Sequence, residues 1–240
     1  MISVKNIFKI IILFICSLIL LSCSTTGGIN DFYESNFSEN ELPPECYLNE
    51  GEEPKVYYSS DISSDINLLK SNYYQILGYS TFNGPAQGDE LTQNVKNMCK
   101  LKKAQIGIYN YEYTDTRHVV YSLYGGGVSS YNIKRYDYTV VLFVTLPIWY
   151  IQNQRSGFEV KDLDQNSRIA LQRNTGAVID VVYNKSNAFY ANVIRNDVLV
   201  EINGVPIGCA DDYYNFIRNY SGNTFLLKVI RNGQQLSINY

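Results

Sequence analysis

The chain has 240 residues, of which 45% are hydrophobic and 18% charged, and its formal net charge is −3. That balance excludes a wholly disordered chain and one embedded throughout in a membrane, and a net acidic chain is a poor footprint for nucleic acid, so no nucleic-acid partner is expected. The 22 tyrosines stand against one Trp and one His. Such rings favour pleated, half-buried surfaces, so the composition points to β-rich structure.

Residues 1–9 carry Lys5 and Lys9, and residues 10–21 are apolar except for Cys16 and Ser17. The run is shorter than the roughly 20 residues that span a bilayer, and it reads as the core of a signal peptide over residues 1–22. It ends Leu20-Leu21-Ser22-Cys23, which resembles the lipobox of bacterial lipoproteins. The resemblance implies that Cys23 becomes a diacylated N-terminus, with palmitate-type chains each contributing about 0.8 kcal/mol per buried CH₂. Ser24, where that family uses Asp for inner-membrane retention, points to the outer membrane facing the periplasm. Cys46, Cys99 and Cys209 then remain, enough for one disulfide and a free thiol, or for none. No Cys-x-x-Cys spacing supports zinc or thioredoxin-type chemistry, and no cofactor or metal is expected.

Residues 24–54 hold eight acidic residues and no basic one, with Pro43-Pro44, Pro54 and Gly27-Gly28. The composition predicts an acidic, disordered tether over 23–54. A small α+β domain of unassigned activity is expected over 55–147. Strands are predicted at 73–82, 106–114 and 136–146, and a helix at 89–103 with Leu91, Val95, Met98 and Cys99 on one stripe. In the second strand Tyr109, Tyr111 and Tyr113 share one face, and Ile106 and Ile108 the other. Gly125-Gly126-Gly127 precedes no helical pattern, so a hairpin loop is expected there rather than a phosphate cradle. Lys96, Lys100 and Lys103 form a second stripe on the helix, either a solvated face or a contact for lipid headgroups or an acidic partner. Ile148-Trp149-Tyr150-Ile151 is too apolar for a free linker, and Trp149 is expected to pack where the two blocks meet.

Over residues 155–240 the pattern is strand (157–160), helical stretch (163–172), strand (177–183), Asn203-Gly204 hairpin, helix (210–218) and Asn232-Gly233 hairpin. The stretches "TGAVIDVVYNKSNAFYANVIRNDVLVEINGVPI" and "GNTFLLKVIRNGQQLSI" resemble the PDZ domains of HtrA-like periplasmic proteases. Gly176-Ala177-Val178-Ile179, Ser186-Asn187-Ala188, Asp197-Val198-Leu199 and Asn203-Gly204 stand in the family's consensus places. Asn196 replaces the usual Gly before Asp197, and Asn tolerates left-handed φ. The earlier block, through "LGYSTFNGP", "YTDT" and "RYDYTVVLFV", is similar to a group of PDZ-containing bacterial lipoproteins. The fold class expected overall is α+β, a small α/β sandwich followed by a short-stranded PDZ barrel or sandwich capped by helices.

The PDZ resemblance implies a groove in which an extended peptide adds to a strand edge. Ser156, Gly157, Phe158, Glu159 and Val160 would form its loop and strand, with Ser156 departing from the family's apolar-Gly-apolar pattern. Ala210, Tyr214 and Ile217 would line the facing helix, with Tyr213 in the core. The protease half of that family needs a Ser-His-Asp triad; the sole histidine, His118, lies beside Arg117, and no serine has a nucleophile signature. No enzyme is expected. The reading is a lipid-anchored envelope protein that binds extended segments or C-termini of other envelope proteins. Its alternatives are an adaptor presenting substrates to a separate periplasmic protease, and a structural protein whose groove is internally occupied.

Overall fold

The computed structural model describes residues 26, 28–38, 41–122, 124, 126–147, 149–150 and 155–240. The segment expected to be a signal peptide, Cys23, Ile148 and Ile151 lie outside the described residues. The fold is α+β with two sheets, and the chain divides into two compact units. One comprises the chain up to Ile62 together with Ile76–Val144; the other comprises Ser63–Gln75 and Thr145–Tyr240.

In the first unit β1 (Tyr33–Ser35), β2 (Lys55–Tyr58), β3 (Tyr74–Pro85), β4 (Ile106–Ser122) and β5 (Val128–Thr145) form one sheet in the order β1-β3-β5-β4-β2. β4 and β5 are antiparallel from Ile106↔Phe143 to Ser122↔Val128, whereas β2 runs parallel to β4. A second helix in chain order, α2 (Glu90–Lys102), follows an earlier α1 (Ile62–Ser71) and lays its Leu91, Val95, Met98 and Cys99 stripe on this sheet against Tyr109, Tyr138, Val140 and Leu142. The close approach depends on Gly107, where a Cβ would stand 2.7 Å from the Cys99 sulfur and 2.9 Å from a Val95 methyl.

The segment expected to be a tether takes part in this unit. Ile29 and Cys46 are fully buried, β1 pairs with β3, and the Leu48 N–H donates to the Lys103 carbonyl at 2.7 Å. Ile29 and Cys46 within the core, Tyr33, Phe37, Leu42 and Tyr47 packed against it, and one short edge strand order a segment that composition alone would leave unfolded. The lysine stripe is answered within the chain: Glu53 accepts from Lys96 at 2.8 Å and Lys100 at 2.6 Å. These hydrogen bonds hold the Glu53 carboxyl down at about 2. Cys46, Cys99 and Cys209 are free thiols, and burial pushes the Cys99 thiol up to about 12.

The second unit carries β6 (Phe158–Asp162), β7 (Ala177–Val182), β8 (Val198–Ile202), β9 (Val205–Pro206), β10 (Leu226–Arg231) and β11 (Gln234–Asn239). The sheet order is β11-β10-β8-β7-β6, with β9 on β8. Both Asn-Gly turns have positive φ at each residue, the two-residue hairpin geometry whose twist matches the strands they join. Asn196 takes φ 72. Beside it Asp197, only 1% exposed, is gripped by both arms of Arg231 at 2.7 and 2.6 Å. The unit also carries the helices α3 (Gln165–Leu171), α4 (Asn187–Tyr190) and α5 (Ala210–Asn219). Asp164 caps α3 through the Ser167 N–H at 2.7 Å, and Ser186 caps α4 through the Phe189 N–H at 3.1 Å.

α1, which sequence periodicity did not single out, belongs mostly to this unit. The Tyr73 ring stacks on Tyr183 at 4.8 Å, and the Asn184 N–H donates to the Ser71 carbonyl at 2.9 Å. Trp149 is 48% exposed and meets the Tyr150 ring edge-on at 6.1 Å.

Candidate functional site: the edge of β6 and helix α5

β6 ends the second sheet, so among the described residues one of its sides has no strand partner. The chain enters it through Gly157 at φ 74, where a Cβ would lie 2.7 Å from the Ser186 side chain; the position requires glycine on both counts. The Gly157 carbonyl accepts from the Tyr183 N–H at 3.0 Å and from Ser186 Oγ at 3.1 Å. That register turns the next outward main-chain groups, those of Phe158 and Val160, away from β7 and towards α5.

Helix α5 is clipped to the other end of the strand. Its first N–H, from Ala210, donates to Asp162 Oδ1 at 2.8 Å, and Asp212 Oδ2 accepts the Gly208 and Cys209 N–H groups at 2.8 and 3.2 Å. These bonds satisfy donors that a helix start leaves open and set the distance between strand and helix.

Across that gap two tyrosine hydroxyls reach the strand. Tyr213 donates to the Phe158 carbonyl at 2.7 Å and lies 2.8 Å from Ser156 Oγ; Tyr214 donates to the Val160 carbonyl at 2.9 Å. The Tyr240 hydroxyl donates to the Ser156 carbonyl at 2.6 Å. Burial pushes all three phenols up, Tyr214 to about 12 with the nearby Glu159 charge adding to it, so they stay neutral donors at neutral pH. Arg155 donates to the carbonyls of Tyr220, Ser221 and Gly222 just beyond the end of α5.

Of the residues singled out from sequence, Ser156, Phe158 and Val160 are buried and offer the groove main-chain groups rather than side chains. Ala210 and Ile217 are partly buried and pack on the same core, and Tyr214 is 39% exposed. Glu159 faces elsewhere: it accepts from the Tyr183 hydroxyl and lies 4.0 Å from Lys70 on α1. Beside it Asp180 meets Lys161 at 2.8 Å, Lys70 at 3.4 Å and Arg195 at 3.6 Å. Burial raises the Asp180 carboxyl, but Lys161 and Lys70 outweigh it and hold the group below its usual range. Sequence reading placed Tyr213 in the core and stopped there. The adjacent pair Tyr213-Tyr214 was the available signal, since neighbours about 100° apart on a helix can both carry a long polar tip to one strand.

His118 is exposed and bonds Asn132 Oδ1 through Nδ1 at 2.9 Å. Among the described residues no cluster of His, Cys, Asp and Glu could hold a metal ion.

No family model matches the chain, and no curated protein matches it. Among solved structures, the HtrA-type protease AlgW with a decapeptide aligns at 21% identity and TM-score 0.31, over 41% of this chain and 35% of that one. AlgW with a tripeptide aligns at 17% identity and TM-score 0.32, over 53% and 52%. The HtrA3 PDZ domain bound to a phage-derived ligand aligns at 12% identity and TM-score 0.31, over 52% of this chain and 85% of that domain. The alignments thus span about a third to a half of the AlgW chains.

Proposed function

We propose that the second unit is a PDZ-type binding module that takes an extended peptide along β6, in a protein anchored to the cell envelope by lipid on Cys23. The observation that carries the reading is the unpaired edge of β6, entered through left-handed Gly157 and faced along its length by α5. An added strand would bond the outward main-chain groups of Phe158 and Val160, while Ala210, Tyr214 and Ile217 meet its side chains. The anchor rests on the Leu20-Leu21-Ser22-Cys23 sequence. The module binds and does not catalyse.

The test uses peptides selected by display on the full chain. Ala210→Arg, at the mouth of the groove, should weaken the selected peptide at least about tenfold, roughly 1.4 kcal/mol, with an unchanged circular dichroism spectrum. Unaltered affinity would move binding away from this edge. Separately, Cys23→Ser should release the protein from membranes and abolish lipid labelling.

A second reading has the groove held shut from within. The Tyr213 and Tyr214 bonds favour it, because they occupy the acceptors that an added strand would use.

A further inference from the structure

The first unit carries an exposed aromatic surface of its own. Helix α2 covers only part of its sheet face. Beyond the helix start that face carries Tyr111 opposite Tyr138 and Tyr113 opposite Tyr136. Their rings form a continuous aromatic track: Tyr113–Tyr136 at 5.7 Å, Tyr136–Tyr111 at 5.8 Å, Tyr138–Phe82 at 5.0 Å and Phe82–Phe32 at 5.5 Å. Tyr111 is 44% exposed and Tyr113 57%.

Two clefts open along this track, one of 220 Å³ against Tyr111, Tyr136 and Tyr138, and one of 550 Å³ against Phe32 and Phe82. The backbone at Ala86-Gln87 borders both and forms the ridge between them. The ridge is fixed in place: the Tyr138 hydroxyl accepts from the Gln87 N–H at 3.1 Å and donates to the Pro85 carbonyl at 2.8 Å. Gln87 Oε1 also accepts from Asn94 Nδ2 at 3.1 Å. Asp89 lines the smaller cleft and Glu90 the larger, and neither lining includes Lys or Arg.

Charge decides what such a surface takes. Aromatic platforms that stack nucleic acid bases come with a positively charged groove, whereas the charged residues lining these clefts are Asp89 and Glu90, and the nearby Arg135 guanidinium is taken up by Asn83. Paired aromatic clefts separated by a rigid ridge suit a ligand that is apolar, extended and already stiff. A polyproline II segment meets that description, since little conformational freedom is left to lose on binding. The acidic rim adds attraction for basic residues, which also sit favourably on tyrosine faces. We propose that the Tyr111–Tyr136–Tyr138 and Phe32–Phe82 clefts bind a proline-rich segment carrying Arg or Lys. This inference is independent of the β6 groove.

The experiment is calorimetric titration of the full chain with a short peptide of Pro-Pro-Arg repeats, beside Pro-Pro-Glu repeats, Gly-Gly-Arg repeats and a chitin hexasaccharide. The Pro-Pro-Arg peptide should bind at least about tenfold tighter than either peptide control, a difference of roughly 1.4 kcal/mol. Tyr111→Ala should abolish that preference. Asp89→Asn with Glu90→Gln should weaken binding about threefold and flatten its salt dependence. Tyr113→Ala, at a more exposed ring, serves if Tyr111→Ala alters the circular dichroism spectrum. Equal binding of Gly-Gly-Arg would reduce the effect to charge, and equal binding of Pro-Pro-Glu would remove the acidic rim from it. Indifference of the folded tyrosine variants, or Tyr111-dependent binding of the hexasaccharide alone, would overturn the assignment.

Discussion

Tyr214→Phe removes one oxygen atom and leaves the ring that packs on Tyr213 at 5.0 Å. What it deletes is the 2.9 Å bond to the Val160 carbonyl on the outward edge of β6. A neutral hydrogen bond of this kind contributes about 0.5–1.5 kcal/mol net. A peptide N–H arriving at the same carbonyl must displace or share it, so the variant should bind an added strand roughly two- to twelvefold more tightly. The protein itself should lose the same roughly 0.5–1.5 kcal/mol, because the bond is made in the unliganded fold and is already given up in the liganded one. Tyr213→Phe is different. Its hydroxyl is buried between Ser156 Oγ and the Phe158 carbonyl, so its loss leaves those two groups only the 3.3 Å bond they make to each other and should cost about 1–3 kcal/mol of stability.

The assay is fluorescence anisotropy with a peptide selected on the parent protein, run beside urea unfolding. A gain for Tyr214→Phe identifies the tyrosine as a competitor for the strand edge. If only the variant captures peptides in display, the groove of the parent is a closed brace. A tenfold loss on Tyr214→Phe would refute the reasoning, since the hydroxyl would then be touching ligand rather than excluding it. No change at all would refute it too, by placing the ligand elsewhere.

Two further outcomes concern stability. Arg231→Ala leaves the Asp197 carboxylate buried without its guanidinium and should destabilise the second unit by about 3–5 kcal/mol, read from hydrogen exchange in β8 and β10; a loss below about 1 kcal/mol would show that water reaches the site. The Asp180 carboxyl is held below its unfolded value of about 3.9, so its contribution is complete above that pH and disappears as pH falls through the lower folded value. Acid unfolding monitored below about pH 4 should therefore flatten in Asp180→Asn, and an unchanged slope would assign the acid sensitivity to other carboxylates.

The features that could be read from sequence share one property: their cause lies within a few residues. Asn203-Gly204 and Asn232-Gly233 adopt the φ values that their turns need, and the Leu91, Val95, Met98 and Cys99 stripe is buried because helical spacing puts it on one side. Partners distant in sequence leave no such trace. Glu53 answers Lys100 from 47 positions away, and Tyr73 meets the Asn184 carbonyl from 111. Averaged composition also hid Ile29 and Cys46, since a mean weighted by eight acids does not record which of the apolar residues among them reach a core. At the site the same division holds. Gly157 and the α5 face follow from local pattern, yet the decisive contacts run from tyrosine hydroxyls to main-chain carbonyls, which no side-chain alphabet records at the accepting end. Tyr213 and Tyr214 look like core and lining until the strand-to-helix distance is known. At 2.7 and 2.9 Å from the Phe158 and Val160 carbonyls they become competitors for any added strand. An open groove and a braced one therefore differ here by the placement of two oxygen atoms.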